Sequence, residues 1–307
     1  MCFKSFFQEK NLAITVKDFA IGRKTFFITP DMSLFPETYL EDYFALGYEC
    51  YFVEYNKNMP LEQKIDILVS IFHDIILIFN IDYTITDLNW FNFISDLQFK
   101  YENKVYIGVT FVKRPDKEVK GKLEKLFNYD LGIKCGCVQL EYNKSENFFI
   151  IQKILYANQA QGRRKNIRAL CTKAYTFVFN HEGTQYSGTM QDISLSHFSF
   201  IYPNGKLDVK EFEKIEAMDF HLKGLLIRAS AVLMMKRPVG ENDTLYVFAF
   251  LDDNGLNGLS ERYRQLVIPN IYNLMANNYR NLIGKVTLSM IENKNLPNNV
   301  EDMEINL

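Results

Sequence analysis

At 307 residues, 48% apolar and 15% aromatic, the chain is long enough for two domains and apolar enough to bury a core in each without a disulfide or metal staple. Thirty-five Lys and Arg against 37 Asp and Glu leave a net charge of -2, so no global field attracts nucleic acid or an anionic membrane and any anion site must be local. Cysteines at 2, 50, 135, 137 and 171 form an odd set without framework spacing, and no secretory-type start precedes them. The longest purely aliphatic and aromatic run, Ile75 to Phe79, is far short of the roughly 20 residues of a membrane span, so the expectation is a reduced, cytoplasmic protein with no membrane span.

The first half alternates strand-like and helix-like stretches. Thr25 to Thr29 is β-rich, and Pro36 to Leu46 reads as a helix opened by proline and stopped by Gly47. Tyr48 to Tyr55 is a second strand, followed by a helix over Pro60 to Phe72 with Leu61, Ile65, Leu68 and Phe72 at helical spacing. Ile75 to Ile81 is continuously apolar, as a strand covered on both faces requires. A helix over Asp87 to Tyr101, a strand over Lys104 to Val112, a helix over Asp116 to Phe127 and a strand over Lys134 to Tyr142 complete the series. Parallel strands need helical crossovers, so these βα units predict a doubly wound parallel sheet. Cys135 and Cys137 share one face of the last strand with no second pair nearby, which makes them buried small hydrophobes rather than metal ligands.

This order resembles the receiver domain of bacterial response regulators. The resemblance implies an acceptor Asp ending strand three, an acidic pair after strand one, a Thr or Ser ending strand four and a Lys ending strand five. Asp82, Thr110 and Asp31 fill some of these places. The acidic pair is replaced by Thr29-Pro30-Asp31, and strand five runs into Glu141-Tyr142-Asn143 with no lysine. Phosphoryl transfer needs a carboxylate-held metal and a neutralising cation, so the expectation is a receiver-like scaffold without that chemistry, in which Asp82 is a loop or capping residue.

Ser145 to Gln159 bridges the halves as a helix, with Phe148, Ile151, Ile154 and Leu155 on one face and Ser145 as its cap. Arg163, Arg164 and Arg168 follow where the helical pattern stops, which makes them a cationic hinge between two bodies. The texture then becomes β-rich. Tyr175 to Asn180, Gln185 to Met190, Phe198 to Tyr202, Gly224 to Met235 and Thr244 to Leu251 are predicted strands, with turns at His181 to Thr184 and Pro203 to Lys206. About half a dozen antiparallel strands suit a small barrel. A helix over Ser260 to Ile283, kinked or divided at Pro269, carries a stripe of Ile268, Ile271, Tyr272, Met275, Tyr279 and Leu282 that the barrel or a partner helix would bury. The tail from Glu292 is Asn-rich and acidic. His73, His181 and His221 are scattered without ligand spacing, and no nucleophile elbow, paired acids or metal spacing points to an enzyme.

Guanidinium groups pair with phosphate oxygens and with the O6/N7 edge of guanine, and an Asp and a Ser two residues apart can accept from and donate to a base edge. Arg164 and Arg168, with Arg163 beside them, and Asp192 with Ser194 resemble the signature of the PilZ domain, a bacterial receptor module for cyclic di-GMP: Arg-x-x-x-Arg before the first barrel strand, then Asp/Asn-x-Ser-x-x-Gly. His197 stands where that family has Gly, a position at which glycine permits positive φ and close ligand approach. Histidine is among the residues enriched in the left-handed region, and its ring could stack on a base.

The resemblance implies an α/β plus β chain: a receiver-like doubly wound parallel sheet over 1–144, a helix and arginine linker over 145–168, a PilZ-type antiparallel β-barrel with a C-terminal helix over 169–290, and a tail over 291–307. It implies cyclic di-GMP as ligand, with no cofactor, held by Arg163, Arg164, Arg168, Asp192, Ser194 and His197, and an unknown protein partner in motility or virulence signalling. The competing expectation is a degenerate PilZ adaptor that docks on a protein partner without nucleotide, and His197 is the residue that separates the two.

Overall fold

The computed structural model describes residues 22–295 apart from 56–58, 73, 114–115, 163, 203–206 and 241. Arg163, Cys2, His73, the turn at 203–206 and the tail beyond 295 therefore lie outside the described residues.

Five strands, β1 (Thr25–Ile28), β2 (Cys50–Val53), β3 (Ile75–Asn80), β4 (Val105–Val112) and β5 (Gly136–Leu140), form one parallel sheet of order β2-β1-β3-β4-β5. Every residue of the central β3 is buried, which is why its sequence shows no polar alternation. The crossovers are α1 (Thr38–Ala45), α2 (Leu61–Ile71), α3 (Trp90–Tyr101) and α4 (Lys117–Glu124), the last continued as a π-helical turn over Lys125–Asp130. The linker helix α5 (Lys144–Ala157) returns across the sheet beside α1, where Phe148 stacks on Tyr43 at 4.6 Å. Its cap is Asn143, whose side-chain oxygen accepts from Ser145 N at 3.1 Å; Ser145, the expected cap, is already inside the first turn. Cys135 and Cys137 are buried at the start of β5, and burial pushes both thiols up to about 12.

The second sheet is wholly antiparallel, with order β6-β9-β10-β13-β12-β11-β7-β8. Its strands are β6 (Ala169–Leu170), β7 (Tyr175–His181), β8 (Thr184–Thr189), β9 (Asp192–Ile193), β10 (His197–Tyr202), β11 (Lys214–Leu222), β12 (Leu225–Val239) and β13 (Asp243–Leu251). The β7–β8 hairpin turns on Glu182 and Gly183, both at positive φ, as a two-residue loop requires. The sheet curls over a phenylalanine core: Phe177 of β7 meets Phe200 of β10 at 4.2 Å across the interior, although the two strands are not neighbours in the sheet.

A single helix, α6 (Glu261–Asn295), contains Pro269 without ending there. It faces both sheets. Toward the first, Tyr272 Oη donates to Cys50 O at 3.3 Å, Arg264 donates to Ala45 O at 3.2 Å and Tyr279 stacks on Tyr51 at 4.3 Å. Toward the second, Asn270 accepts from Tyr175 Oη and donates to Leu222 O, and Asn278 donates to Leu170 O. The expected stripe is thus covered by both halves of the same chain. Val267, Ile271, Tyr272, Leu274, Met275 and Ala276 are buried, while Leu282, placed in the stripe by spacing, is exposed.

Candidate functional site

The arginine segment leaves α5 and lies along the first half before entering β6. Two glycines permit that course. Gly22 (φ +83°) and Gly47 (φ +89°) occupy the left-handed region, and a Cβ would stand 2.4 Å from the Ala160 carbonyl oxygen in the first case and 2.7 Å from that of Lys165 in the second. Backbone meets backbone at both places, so no side chain fits. Gln161 adds an isolated bridge to Tyr48 and donates to Leu46 O at 2.8 Å. With Ile167 and Ala169 buried on the far side, Arg164 and Arg168 are left exposed on an anchored strip.

The polar turn between β9 and β10 lies against that strip. Asn166 Nδ2 donates to Ser196 Oγ at 2.8 Å, joining the two segments directly. Ser194 is buried, and its hydroxyl closes the turn by accepting from His197 N at 3.0 Å and donating to His197 O at 3.1 Å. His197 begins β10 in register with Ala249, and left-handed φ falls elsewhere among the described non-glycine residues. The positive φ considered for this position is therefore not needed: the Ser194 hydroxyl closes the turn instead. The His197 ring is half-buried and accepts from or donates to Ser196 Oγ through Nδ1 at 2.8 Å. Burial, then the charge of Arg168, lower its pKa below the ordinary 6.5, against an opposing pull from Asp192.

Arg168 Nη1 stands 3.7 Å from Asp192 Oδ1, an ion pair without hydrogen-bond contact. Asp192 Oδ1 is buried and accepts no hydrogen bond among the described residues. Asp192 lies opposite Leu170 of β6 on one side and Ser199 of β10 on the other. The hydroxyl of Ser199, 1% exposed, likewise has no partner among the described residues. Cys171 completes the surround, its thiol pushed up to about 12 by burial and by the charge of Asp192. The site therefore presents a positive edge, Arg164 and Arg168, beside a buried acceptor that no donor among the described residues satisfies.

No protein-family profile and no curated protein matches the sequence. Among solved structures, the chain is similar to YcgR of Escherichia coli in complex with c-di-GMP, at 16% identity and a TM-score of 0.33, over 41% of this chain and 51% of that one. It is similar to the Bacillus subtilis inhibitor of motility MotI/DgrA at 14% identity, TM-score 0.31, over 38% and 52%, and to the K. pneumonia MrkH–c-di-GMP complex at 13%, TM-score 0.30, over 43% and 54%. These matches span about half the length of each of those proteins. One further match is a PilZ domain. It is the isolated domain of YcgR with c-di-GMP, covered over 95% of its length at 16% identity and a TM-score of 0.32.

Of the residues singled out by sequence, Arg168, Asp192 and His197 come together, Ser194 lies beneath them as the turn closure, and Arg164 projects from the same strip with no hydrogen bond or ion pair among the described residues. Asn166 and Ser199 were not singled out. Asn166 lies inside the arginine segment, and Ser199 follows His197 at the two-residue spacing that shares a strand face, so both signals were present in the sequence.

In the first sheet, the carboxyl ends of the strands hold polar groups occupied by backbone. Asn80 ends β3 and donates to Thr29 O at 3.0 Å, Thr110 donates to Phe79 O, and Asp31 accepts from Ser33 N at 2.9 Å. Asp82 lies two residues beyond the strand, where its carboxylate accepts from Val112 N, the capping role expected of it. No helix among the described residues is long and apolar enough to cross a membrane, and no cluster of three metal-ligating side chains occurs among them.

Proposed function

We propose that the chain is a cyclic di-GMP receptor of the PilZ type, in which the arginine strip and the β9–β10 turn hold the nucleotide. The observation that carries this reading is the buried, unsatisfied Oδ1 of Asp192 beside Arg168 and Arg164. A buried carboxylate oxygen without a donor costs about 1 to 3 kcal/mol or more, and a guanine supplies the missing N–H donors while its phosphates meet the guanidinium groups. Arg164 and Arg168 act as clamps with Arg163 assisting, Asp192 accepts from guanine, Ser194 orients the turn and the His197 ring offers a stacking face. The first sheet is a receiver-like scaffold without phosphoacceptor chemistry, with Asn80 at the end of its central strand. Nucleotide held between the arginine strip and the turn shifts the first half against the barrel, which regulates a protein partner in motility or virulence signalling. The four described cysteines are unpaired, in keeping with a reducing cytoplasm.

Isothermal titration with cyclic di-GMP tests the reading. Guanine-selective heat, absent with cyclic di-AMP and lost in the Arg164→Ala, Arg168→Ala double variant, is expected. Each buried charge-assisted pair contributes about 2 to 5 kcal/mol, so removing both arginines takes a micromolar ligand out of range. An unchanged double variant overturns it. The half-buried His197 ring, held by Ser196 Oγ at 2.8 Å, favours the second reading, a nucleotide-free adaptor. Silence of the wild-type chain together with silence of a His197→Gly variant would establish that alternative.

A further inference from the structure

Along α5 and the bend before it, aromatic side chains stand largely uncovered by the described residues. Tyr142, just ahead of the helix, Phe149 and Tyr156 are 70%, 59% and 75% exposed. Phe149 and Tyr156 are seven residues apart within the helix, so they differ by only about 20° in direction and share a face, with Tyr142 in the bend that leads into it. The opposite face is already occupied: Asn147, Ile151 and Leu155 are buried and Phe148 packs on Tyr39 and Tyr43. Aromatic groups aligned on an exposed helix face are the usual anchors of a protein interface rather than scattered surface residues.

The charges beside the stripe select its occupant. Glu146 precedes Phe149 by one helical turn and Lys153 follows it by one, and both are exposed. Lys153 has no hydrogen bond or ion pair among the described residues, and Glu146 accepts only from its neighbour Asn143. When two copies of this helix cross antiparallel at Phe149, Glu146 of one meets Lys153 of the other, and the same pair forms again across the two-fold axis. The same register brings Tyr156 of one copy to the start of the helix of the other. A parallel crossing would set Glu146 against Glu146 and Lys153 against Lys153. The stripe is therefore self-complementary in only one sense, as an isologous contact requires.

We propose that α5 is a homodimer interface, antiparallel and centred on Phe149, with reciprocal Glu146–Lys153 pairs. The proposal stands apart from the nucleotide reading and is tested without nucleotide. Sedimentation velocity on the full chain over a concentration series is expected to show a monomer–dimer equilibrium. Phe149→Ser weakens it by at least about tenfold, the loss of one aromatic anchor. Glu146→Lys and Lys153→Glu each abolish self-association, and an equimolar mixture of these two variants restores it as a heterodimer, since every facing pair is then opposite in sign. All three positions are exposed, and unchanged thermal melts verify that the variants fold. A wild-type chain that stays monomeric throughout the series overturns the proposal and leaves the stripe to a different protein. So does a dimer indifferent to Phe149→Ser, or a mixture of the charge variants that stays monomeric.

Discussion

His197 illustrates how one side chain reports on its surroundings. Its pKa is lowered by burial and by Arg168, so below 6.5 the unfolded chain takes up more protons at this group than the folded one. Its contribution to stability is complete above that value and is lost as the pH falls below it. Denaturant midpoints at about pH 7.5 and about pH 5.5 should therefore fall further in the wild type than in a His197→Gln variant, which lacks the titration. Glu49 makes a different case. It is 5% exposed and is held by Lys24 and by the Tyr51 hydroxyl at 2.6 Å. Lys24→Met leaves that carboxylate buried without its cation and should cost about 3 to 5 kcal/mol, read as a drop in the chemical-denaturation midpoint.

At the level of elements, the arginine strip is set by its glycine contacts. Gly47→Ala combines a left-handed φ with a Cβ driven into the Lys165 carbonyl. It should destabilise by about 1 to 3 kcal/mol and weaken cyclic di-GMP titration without touching any proposed ligand contact. The strand that the sequence did not yield, β11, shows why alternation fails as a guide. Ile215 and Met218 both face the core although they are three residues apart, because a bulge shifts the register between them and Ala217 takes a φ of +51°. The bulge breaks the period of two on which a strand is recognised. Ala217→Gly relieves the unfavourable φ and should stabilise the chain by about 0.5 to 1 kcal/mol in thermal or denaturant melts. β6 and β9, two residues each, are too short to carry any period, yet they are the strands that bring Leu170, Asp192 and Ser199 side by side.

For the whole molecule the decisive element is α6, which holds both sheets at once. Tyr279 stacks on Tyr51 and reaches Phe26 and Phe72, so Tyr279→Ala should cost about 2 to 4 kcal/mol. Because the same helix donates from Asn270 and Asn278 to the second sheet, calorimetry of that variant should show the single transition broadening or dividing in two. By itself the sequence determined the elements whose apolar pattern is local: the five parallel strands and their crossovers, the linker helix, most strands of the antiparallel sheet, and the positions of Arg164, Arg168, Asp192 and Ser194. Side-chain period, caps and turn residues act within a few positions, so they can be read along the chain. Tertiary structure alone decided that the linker is fastened by Gly22 and Gly47, that Ser194 closes the turn so that His197 needs no left-handed backbone, and that half-buried Asp192 stands beside Arg168 with its buried Oδ1 unsatisfied among the described residues. It also decided that the C-terminal helix belongs to both halves. The Ser194 closure spans only three residues, but each of the others depends on contacts between residues far apart in the chain, and no periodicity encodes a partner at that distance.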